Sequence, residues 1–286
     1  MNYSASQTLS HSQFKRRFGV YRATFKRMAK GLGAQRRQTI SPGRPDKLSI
    51  ENQALVALEY WREYRTYFHI ATDWAVSEST ICRIVHRVET DLMASGLFRI
   101  PGKKQLVQGF GDYEMVVMDV TETPIERPKR KQKEFYSGKK KHRTLKCQAI
   151  IDQATLDIIC LHFGHGRTHD FKLFKASGVY FNPETKSLED SGYQGIARYH
   201  SNSFIPQKKP KNGELSDSDR EYNRALGSER ICIEHVNRRL KIFKVLALRY
   251  RNRRRRYGLR FNLIAALYNH ERSLVRPKNE GRHSTT

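Results

Sequence analysis

The stretch Glu114-Met-Val-Val-Met-Asp119 divides the chain into two parts of different character. It is a nearly continuous apolar run of strand length, which is typical of a central strand buried on both faces of a sheet. The run ends in Asp119, and burying a carboxylate is costly unless a partner or a metal ion compensates its charge. The run therefore predicts both the first strand of a sheet and a candidate functional residue.

The residues after Asp119 alternate between strand-like and helix-like patterns. In order, we interpret them as a turn at 121–124, strands at 144–151 and 156–163, a helix from 171 to 176, a short strand with a carboxylate and a turn at 187–193, and an edge strand at 204–206. The last strand is placed at an edge because it contains a proline. This order, closed by a long helix, predicts an α/β fold in which helices pack against a mixed sheet.

The late stretch Ser228–Lys241 has the periodicity of an amphipathic helix, with Ile233, Val236 and Leu240 on its apolar side. Beside that apolar stripe, four polar residues fall within an arc of roughly 60°: Arg230, Glu234, Asn237 and Lys241. A carboxylate held between two cations on a rigid element suits a metal ligand next to phosphate-binding groups. The alternative is an ordinary surface helix with an Arg–Glu pair one turn apart, which contributes little.

Before the sheet, residues 49–89 predict three helices in the helix-turn-helix arrangement. Ser49 is a good N-cap for the first helix and Ser77 for the third, which would be the reading helix. Its apolar residues point inward, which leaves four residues for groove or phosphate contacts: Ser79, Thr80, Arg83 and Arg87. A purely structural three-helix unit is the alternative. Still earlier, residues 11–30 predict basic helices broken at Gly19, and residues 31–48 predict a linker.

The composition points to a polyanionic partner. The 286 residues include 54 Lys and Arg against 28 Asp and Glu, a formal net charge of +26. Nucleic acid is the leading partner, since phosphate neutralisation favours a basic surface; an anionic membrane is the competitor. No apolar run reaches spanning length, and no signal-peptide core begins the chain. The four cysteines lack metal or disulfide spacing. We therefore expect a cytoplasmic, nucleoid-associated protein without a membrane partner.

Two segments concentrate the positive charge. Residues 127–146 are dense in Lys and Arg, including Lys139, Lys140 and Lys141, and Phe135-Tyr136 interrupts the run. Basic residues interleaved with aromatic rings beside an acidic strand end suggest a nucleic-acid track, whereas a charge run is more often a solvated face. Residues 249–256 form a second basic block, which either contacts DNA backbone or remains solvated.

Three carboxylates lie at element ends that a mixed sheet can bring together: Asp119, Asp190 and Glu234. Clustered carboxylates repel one another and raise each other's pKa, so in a basic protein they make sense as a site for divalent cations such as Mg²⁺. Two ions can activate a water or a sugar hydroxyl and stabilise the leaving oxygen of a phosphodiester. Asp170 either caps a helix or belongs to the same site.

Four motifs together resemble the DDE transposases of bacterial insertion sequences and their Harbinger-like eukaryotic relatives. They are Val116-Val-Met-Asp119 with Thr-Glu-Thr-Pro-Ile after it, Phe135-Tyr-Ser-Gly-Lys-Lys-Lys-His-Arg-Thr-Leu-Lys146, Asp190-Ser-Gly-Tyr-Gln-Gly195, and Arg230-x₃-Glu234-x₆-Lys241. That family often has a tyrosine three residues before the arginine, where this chain has Gly227. The helix-turn-helix also fits, so the resemblance covers residues 45–272.

The resemblance implies an RNase H-like catalytic domain at 106–275, after a helical segment and linker at 1–44 and a helix-turn-helix domain at 45–105, and before a disordered tail at 276–286. It implies Asp119, Asp190 and Glu234 as catalytic ligands of two Mg²⁺ or Mn²⁺ ions. Asp170 is the rival for the second position; we prefer Asp190 because it follows a strand.

By the same resemblance, Arg230 and Lys241 hold phosphates of the transposon end. The implied reaction is cleavage at terminal inverted repeats of double-stranded DNA, followed by strand transfer to target DNA, carried out by a homodimer. The alternatives are a transposase-derived DNA-binding protein that no longer cuts, and an endonuclease with another substrate.

Overall fold

The computed structural model describes residues 1–38, 45–108 and 113–276. The helices are α1 (Tyr3–Gln7), α2 (His11–Phe18), α3 (Arg22–Gln38), α4 (Ile50–Glu63), α5 (Tyr67–Asp73), α6 (Glu78–Ser95), α7 (Gln105–Gln108), α8 (Asp170–Ser177), α9 (Asp217–Leu240), α10 (Lys244–Ala247) and α11 (Tyr257–Ser273). The strands are β1 (Met115–Pro124), β2 (Tyr136–Ser137), β3 (His142–Asp152), β4 (Ile158–His165), β5 (Lys186–Leu188) and β6 (Ser203–Phe204).

The N-terminal part is helical, as predicted, and the two predicted capping residues, Ser49 and Ser77, cap their helices. Ser49 accepts a hydrogen bond from the backbone of Asn52 at the start of α4, and Thr66 caps α5. Ser77 caps α6, which ends at Gly96 in the left-handed conformation. The predicted helix-turn-helix layout of α4, α5 and α6 is confirmed. The predicted break at Gly19, which has a φ of 82°, is confirmed as well.

The remainder is a six-stranded mixed sheet. β1 lies at its centre, antiparallel to β3 and parallel to β5, and β6 adds a parallel edge strand beside β5. β4 pairs antiparallel with β3, and the short β2 pairs with the beginning of β3. Three antiparallel strands followed by two parallel ones, with helices against the sheet, are the RNase H-like architecture that the sequence predicts.

The central strand separates two packed layers. Val117 belongs to the core that α9 and α11 complete, whereas Val116 and Met118 belong to a second core with Phe174 of α8. Since side chains alternate along a strand, Asp119 faces the same layer as Val117, towards α9. The sheet therefore positions one carboxylate under a long helix.

A buried charge network joins the helix-turn-helix to the sheet domain. Glu89 of α6 is fully buried and accepts hydrogen bonds from Trp61 Nε1 at 3.1 Å, Arg260 Nε at 2.6 Å and Arg256 Nε at 2.5 Å. Arg260 is also fully buried and donates to the hydroxyl of Tyr250 at 2.8 Å. Closing helix α11 is thereby tied to α4 and α6.

Two predictions about element ends are wrong. Residues 121–124 are the last part of β1 and not a turn, because Thr121 and Thr123 point inward and pair with Cys147 and Leu145 of β3. Residues 31–38, predicted as linker, continue α3. Gly31 lies within that helix, where an added side-chain carbon would approach Leu97 to 2.5 Å. A glycine at this position therefore permits close packing of α3 against Leu97.

Some predictions fall on residues outside the described part of the chain: the rest of the linker at 39–44, and the tail after residue 276. Among the described residues, no helix is both long and apolar enough to cross a bilayer.

Candidate active site

Asp119 lies in the middle of β1, opposite Ala149 of β3, and not at the end of the strand as the sequence suggested. Its side chain faces α9, where Asn237 Nδ2 donates a hydrogen bond to Asp119 Oδ2 at 3.0 Å. Asn237 is itself buried, on the inward face of the helix beside Val236. The central strand and the long helix thus fix the carboxylate from two sides.

The parallel pairing of β1 and β5 carries Asp190 to the same place. Val117 is paired with Leu188, and each strand reaches its aspartate two residues later. Asp190 then caps a 3₁₀ turn at Ser191–Tyr193 by accepting a hydrogen bond from the Gly192 amide at 2.8 Å. The parallel pairing, which sets Asp119 within β1 beside Asp190 just after β5, is therefore the structural reason for this cluster.

Asp170, the first residue of α8, lies beside Asp190. A side-chain carbon built on Gly192 would lie 2.8 Å from Asp190 Oδ1 and 3.7 Å from Asp170 Oδ2, so the two carboxylates flank this glycine. Lys146 Nζ donates to Asp170 Oδ1 at 2.6 Å and lies 4.0 Å from Glu122 Oε1. Asp170 therefore already has a buried cation as partner, in contrast to Asp190.

A buried phenol and a buried carboxyl complete the cluster. Tyr193 is fully buried and its hydroxyl makes no hydrogen bond within the described residues. Burial raises its pKa strongly, and Asp170, Asp119, Asp190 and Glu189 all act in the same direction. Glu189 is also fully buried, with neither oxygen within hydrogen-bonding geometry of a partner; burial raises its pKa to about 8, against a smaller lowering by the nearby Ser187 side chain. Four acidic side chains thus surround one phenol.

The charges around Asp119 oppose one another. Burial raises the pKa of Asp119, and the charges of Asp190 and Asp170 raise it further, whereas Arg230 lowers it. On the other side, burial and the nearby Lys140 lower the pKa of Lys241, which the carboxylates of Asp119 and Glu122 partly counteract. Repulsion among like charges in a low-dielectric setting is typical of a functional site.

Helix α9 presents its predicted residues unequally. Arg230 is half-buried and acts electrostatically on Asp119 and Glu189, Asn237 contacts Asp119, and Lys241 ends the helix half-buried. Glu234 is exposed, one turn before Asn237, and is not among the main charges acting on Asp119. The structure brings together Asp119, Asp170 and Asp190, and leaves Glu234 at the rim.

Divalent cations suit the chemistry of this site, because carboxylate oxygens are the ligands that Mg²⁺ prefers, and Glu189 and Tyr193 leave buried oxygens unbonded. In this conformation, however, the described residues include no group of three His, Cys, Asp or Glu side chains close enough to hold an ion. Lys146 and Asn237 occupy part of the bonding capacity of Asp170 and Asp119.

The predicted reading helix is α6. Ser79 and Arg83 are exposed, and Thr80 is half-buried with its hydroxyl 2.8 Å from Ser77 Oγ. Arg87 is exposed but donates to Asp46 Oδ1 at 2.8 Å, so it also holds α6 to the segment before α4. The N-terminal turns of α6 therefore expose polar side chains, which hydrogen-bond locally: Ser79 Oγ lies 3.1 Å from Ser77 Oγ.

The basic turn between β2 and β3 carries Lys139, Lys140 and Lys141, all exposed. Lys140 lies close enough to Lys241 to lower its pKa. The turn consequently extends over the same side of the sheet as the end of α9.

Sequence reasoning missed four residues of the site: Glu122, Lys146, Glu189 and, as a direct partner of Asp119, Asn237. Two of them stand inside motifs that were already singled out. Glu122 lies three residues after Asp119 in the Thr-Glu-Thr stretch, and Lys146 ends the basic motif. Glu189 precedes Asp190, and only its burial distinguishes it.

Comparison with known proteins places this arrangement in a class. Residues 118–269 match the family described as DDE superfamily endonuclease, and residues 46–97 match the helix-turn-helix of DDE superfamily endonuclease. A protein of Microchaete diplosiphon named as a probable transposase for insertion sequence element IS702 is 52% identical over 274 residues, covering 96% of this chain and 99% of the relative.

A second relative, a putative transposase for insertion sequence element IS112 from Streptomyces albus G, is 25% identical over 232 residues, which cover 80% of this chain and 83% of the relative. The chain belongs to the DDE superfamily of endonucleases, with the family's helix-turn-helix in front of the catalytic fold.

Proposed function

We propose that this protein is a transposase of an insertion sequence that recognises the ends of its element in double-stranded DNA, cuts there and joins the freed ends to target DNA. The observation that carries the proposal is the gathering of Asp119, Asp170 and Asp190 around Tyr193, at the centre of a chain with a net charge of +26. Negative charge concentrated inside a basic protein serves metal-assisted phosphodiester chemistry.

Asp119 and Asp190 are the two central carboxylates. Asp190 receives a hydrogen bond only from the Gly192 amide within the described residues, so it keeps an oxygen for another ligand. Asp170 is paired with Lys146 and supports the site as an additional ligand. Glu234 precedes Asn237 by three residues, a rise of about 4.5 Å along α9, and the proposal requires a change of its side-chain rotamer to direct it towards Asp119.

These four carboxylates would hold two Mg²⁺ or Mn²⁺ ions, which when bound help to deprotonate the attacking oxygen and to stabilise the leaving one. Arg230, Lys241 and the turn at Lys139–Lys141 bind phosphates beside the site. In the first step, a water oxygen attacks phosphorus and the 3′ oxygen of the transposon end leaves as a hydroxyl. In the second step, that hydroxyl attacks a phosphodiester of target DNA and displaces its 3′ oxygen.

The helix-turn-helix supplies the recognition of the terminal inverted repeats. Ser79 and Arg83 project from the first turns of α6, the part of a reading helix that contacts base edges. Thr80 and Arg87 approach the phosphates. Two copies, one on each end of the element, form the active homodimer at the bacterial nucleoid.

The test uses duplexes carrying the inverted repeats that flank the gene, with Mg²⁺ or with a chelator. Asp119→Asn should lower the rate of cleavage by more than about a hundredfold, because a ligand of the ions contributes several kcal/mol to the transition state. The variant should still bind the repeat, since α6 is unchanged. Asp217→Asn, an exposed aspartate at the start of α9, is the matched control and should cut normally.

Two alternative functions make different predictions in the same assay. A transposase-derived DNA-binding protein would bind the repeat without any cleavage that depends on Asp119. An endonuclease with another substrate would cut DNA lacking the repeats equally well and would join no ends.

A further inference from the structure

A basic cavity of about 710 Å³ lies at the end of β1, away from the carboxylates. Two segments that are far apart in the sequence form its walls: residues 125–131 after β1, and residues 250–254 before α11. Six cationic side chains line it: Arg127, Lys129, Arg130, Lys131, Arg253 and Arg254. All six residues are exposed.

Backbone hydrogen bonds hold the two walls together. The amide of Tyr250 donates to the carbonyl of Pro124 at 2.8 Å, and the amide of Glu126 donates to the carbonyl of Tyr250 at 3.4 Å, which forms a parallel bridge between Ile125 and Tyr250. The basic walls are thus an extension of the central strand. The cavity is consequently part of the same rigid sheet as Asp119.

The backbone is strained where the cations stand. Lys131, Arg253 and Arg254 adopt φ values of 57°, 45° and 67°, the left-handed region that residues with a Cβ rarely occupy. Backbone strain of this kind concentrates at binding sites. Arg254 is further held with its guanidinium 4.7 Å from the ring centre of Phe135. Residues 253 and 254 thus both place their side chains along the wall of the cavity.

The positive charge of the cavity favours an anionic ligand. Glu126 and Glu134 also line it, but Glu134 is already 3.5 Å from Lys131 and 3.8 Å from His165. The aromatic rings of Phe135 and Tyr250 are buried, so they offer no open face on which a base can stack. Exposed cations around a wide cavity with covered rings suit phosphate groups more than bases.

We propose that this cavity binds the sugar-phosphate backbone of duplex DNA, without regard to sequence, at a distance from the cut. Ile125 directly follows β1 and lies six residues after Asp119, or about 20 Å at 3.3 Å per extended residue. A duplex lying along β1 therefore places the bound phosphates about six base pairs from the scissile one, at 3.4 Å per base pair. This inference rests on the proposed function, because it takes Asp119 to mark the cleavage point.

The experiment compares two double variants with the same loss of charge in the same segment. Arg253→Gln/Arg254→Gln removes two cavity arginines. Arg249→Gln/Arg255→Gln removes two exposed arginines that do not line the cavity. Affinity for a duplex of about 30 base pairs without the repeats is measured over a series of salt concentrations with a chelator present, so that cleavage plays no part.

Each phosphate contact contributes about 0.9 to the slope of log affinity against log salt. The cavity variant should therefore lose about 2 from that slope, and about tenfold or more in affinity at moderate salt, whereas the control variant should stay close to the wild type. Equal losses in both variants, or no loss in the cavity variant, would overturn the proposal. Matching thermal unfolding curves establish that both variants are folded.

This result is independent of the catalytic test. If the cavity proposal fails, the two double variants bind DNA with the same affinity and the same salt slope. Asp119→Asn still abolishes cleavage in that case. If the proposed function fails, cleavage at the repeats is absent while the salt slopes can still differ between the two variants.

Discussion

Two clusters of buried charge in the described part of the chain are built in different ways. At the junction of α6 and α11, Glu89 accepts three hydrogen bonds, and Glu89 raises the pKa of Arg260 even though burial alone would lower it. In the sheet domain, Glu189 and Tyr193 are equally buried but keep their oxygens unbonded. The Glu89 carboxylate has partners on both oxygens, although Nη2 of Arg260 stays unbonded, whereas the acids of the second cluster lack such partners.

The difference separates a structural role from a functional one. A buried carboxylate with complete partners fixes the relative position of two elements, and nothing remains for a ligand to bind. Unpaired buried acids lower the free energy of unfolding. A bound ligand can compensate this loss by supplying the missing interactions. This contrast supports the carboxylate cluster as the proposed site, and the Glu89 cluster is the joint that holds the helix-turn-helix against the sheet domain.

The largest effect is expected at the joint. Glu89→Gln leaves Arg260 buried without a counter-charge, and breaking such a pair typically lowers the free energy of unfolding by about 3–5 kcal/mol. Urea unfolding followed by circular dichroism measures this loss. Glu234→Gln, the same substitution at an exposed position, should change stability by less than about 0.5 kcal/mol. A mild effect at Glu89 would remove the distinction between the two clusters.

A second effect, spread over a defined pH range, is expected at Glu189. Burial raises its pKa to about 8 in the folded protein, above an ordinary 4.5, so the folded state keeps a proton that the unfolded state has lost. The free energy of unfolding should then fall as pH rises from about 4.5 to 8, by at most about 1.4 kcal/mol per pH unit from this group.

Glu189→Gln cannot lose that proton, so the variant should gain stability relative to the wild type between pH 5 and pH 8. Thermal and urea unfolding in the presence of a chelator measure the difference. Glu184→Gln, at an exposed position five residues earlier, should show no such trend. A constant difference between Glu189→Gln and the wild type across this pH range would show that burial does not control Glu189.

The sequence predicts the parts of this protein that local signals determine. Serine caps mark α4 and α6, the apolar run ending at Met118 marks the central strand, and the order of strands and helices follows from periodicity. Asp119 and Asp190 are visible as candidates because each follows a short apolar stretch. The two carboxylates come close together because β1 and β5 are parallel neighbours, which is the usual arrangement in such a mixed sheet.

The remainder depends on contacts between distant residues, which no local pattern reveals. The continuation of β1 through Thr123 depends on pairing with β3, although the Thr-Glu-Thr-Pro sequence is typical of a turn. The ion pair of Lys146 with Asp170 spans 24 positions, and that of Arg260 with Glu89 spans 171. For the same reason, helical periodicity places Glu234 and Asn237 in one arc but does not tell which of them contacts Asp119.

The smallest effect on stability, and the sharpest comparison with Glu89, is expected from Asp190→Asn. The asparagine oxygen can still accept the hydrogen bond of the Gly192 amide, and the loss of one negative charge relieves the repulsion that raises the pKa of Asp119. Stability should remain unchanged or rise by up to about 1 kcal/mol, while cleavage is lost. Urea unfolding in a chelator and the repeat-cleavage assay measure the two quantities on the same sample.

Asp170→Asn is the contrasting variant, because it removes the counter-charge of the buried Lys146. It should lower the free energy of unfolding by about 1–3 kcal/mol. If Asp190→Asn were as destabilising as Asp170→Asn, Asp190 would be a satisfied structural residue and Asp170 the better second catalytic aspartate. A stable but inactive Asp190→Asn protein would instead place the unpaired charge, and with it the chemistry, at Asp190.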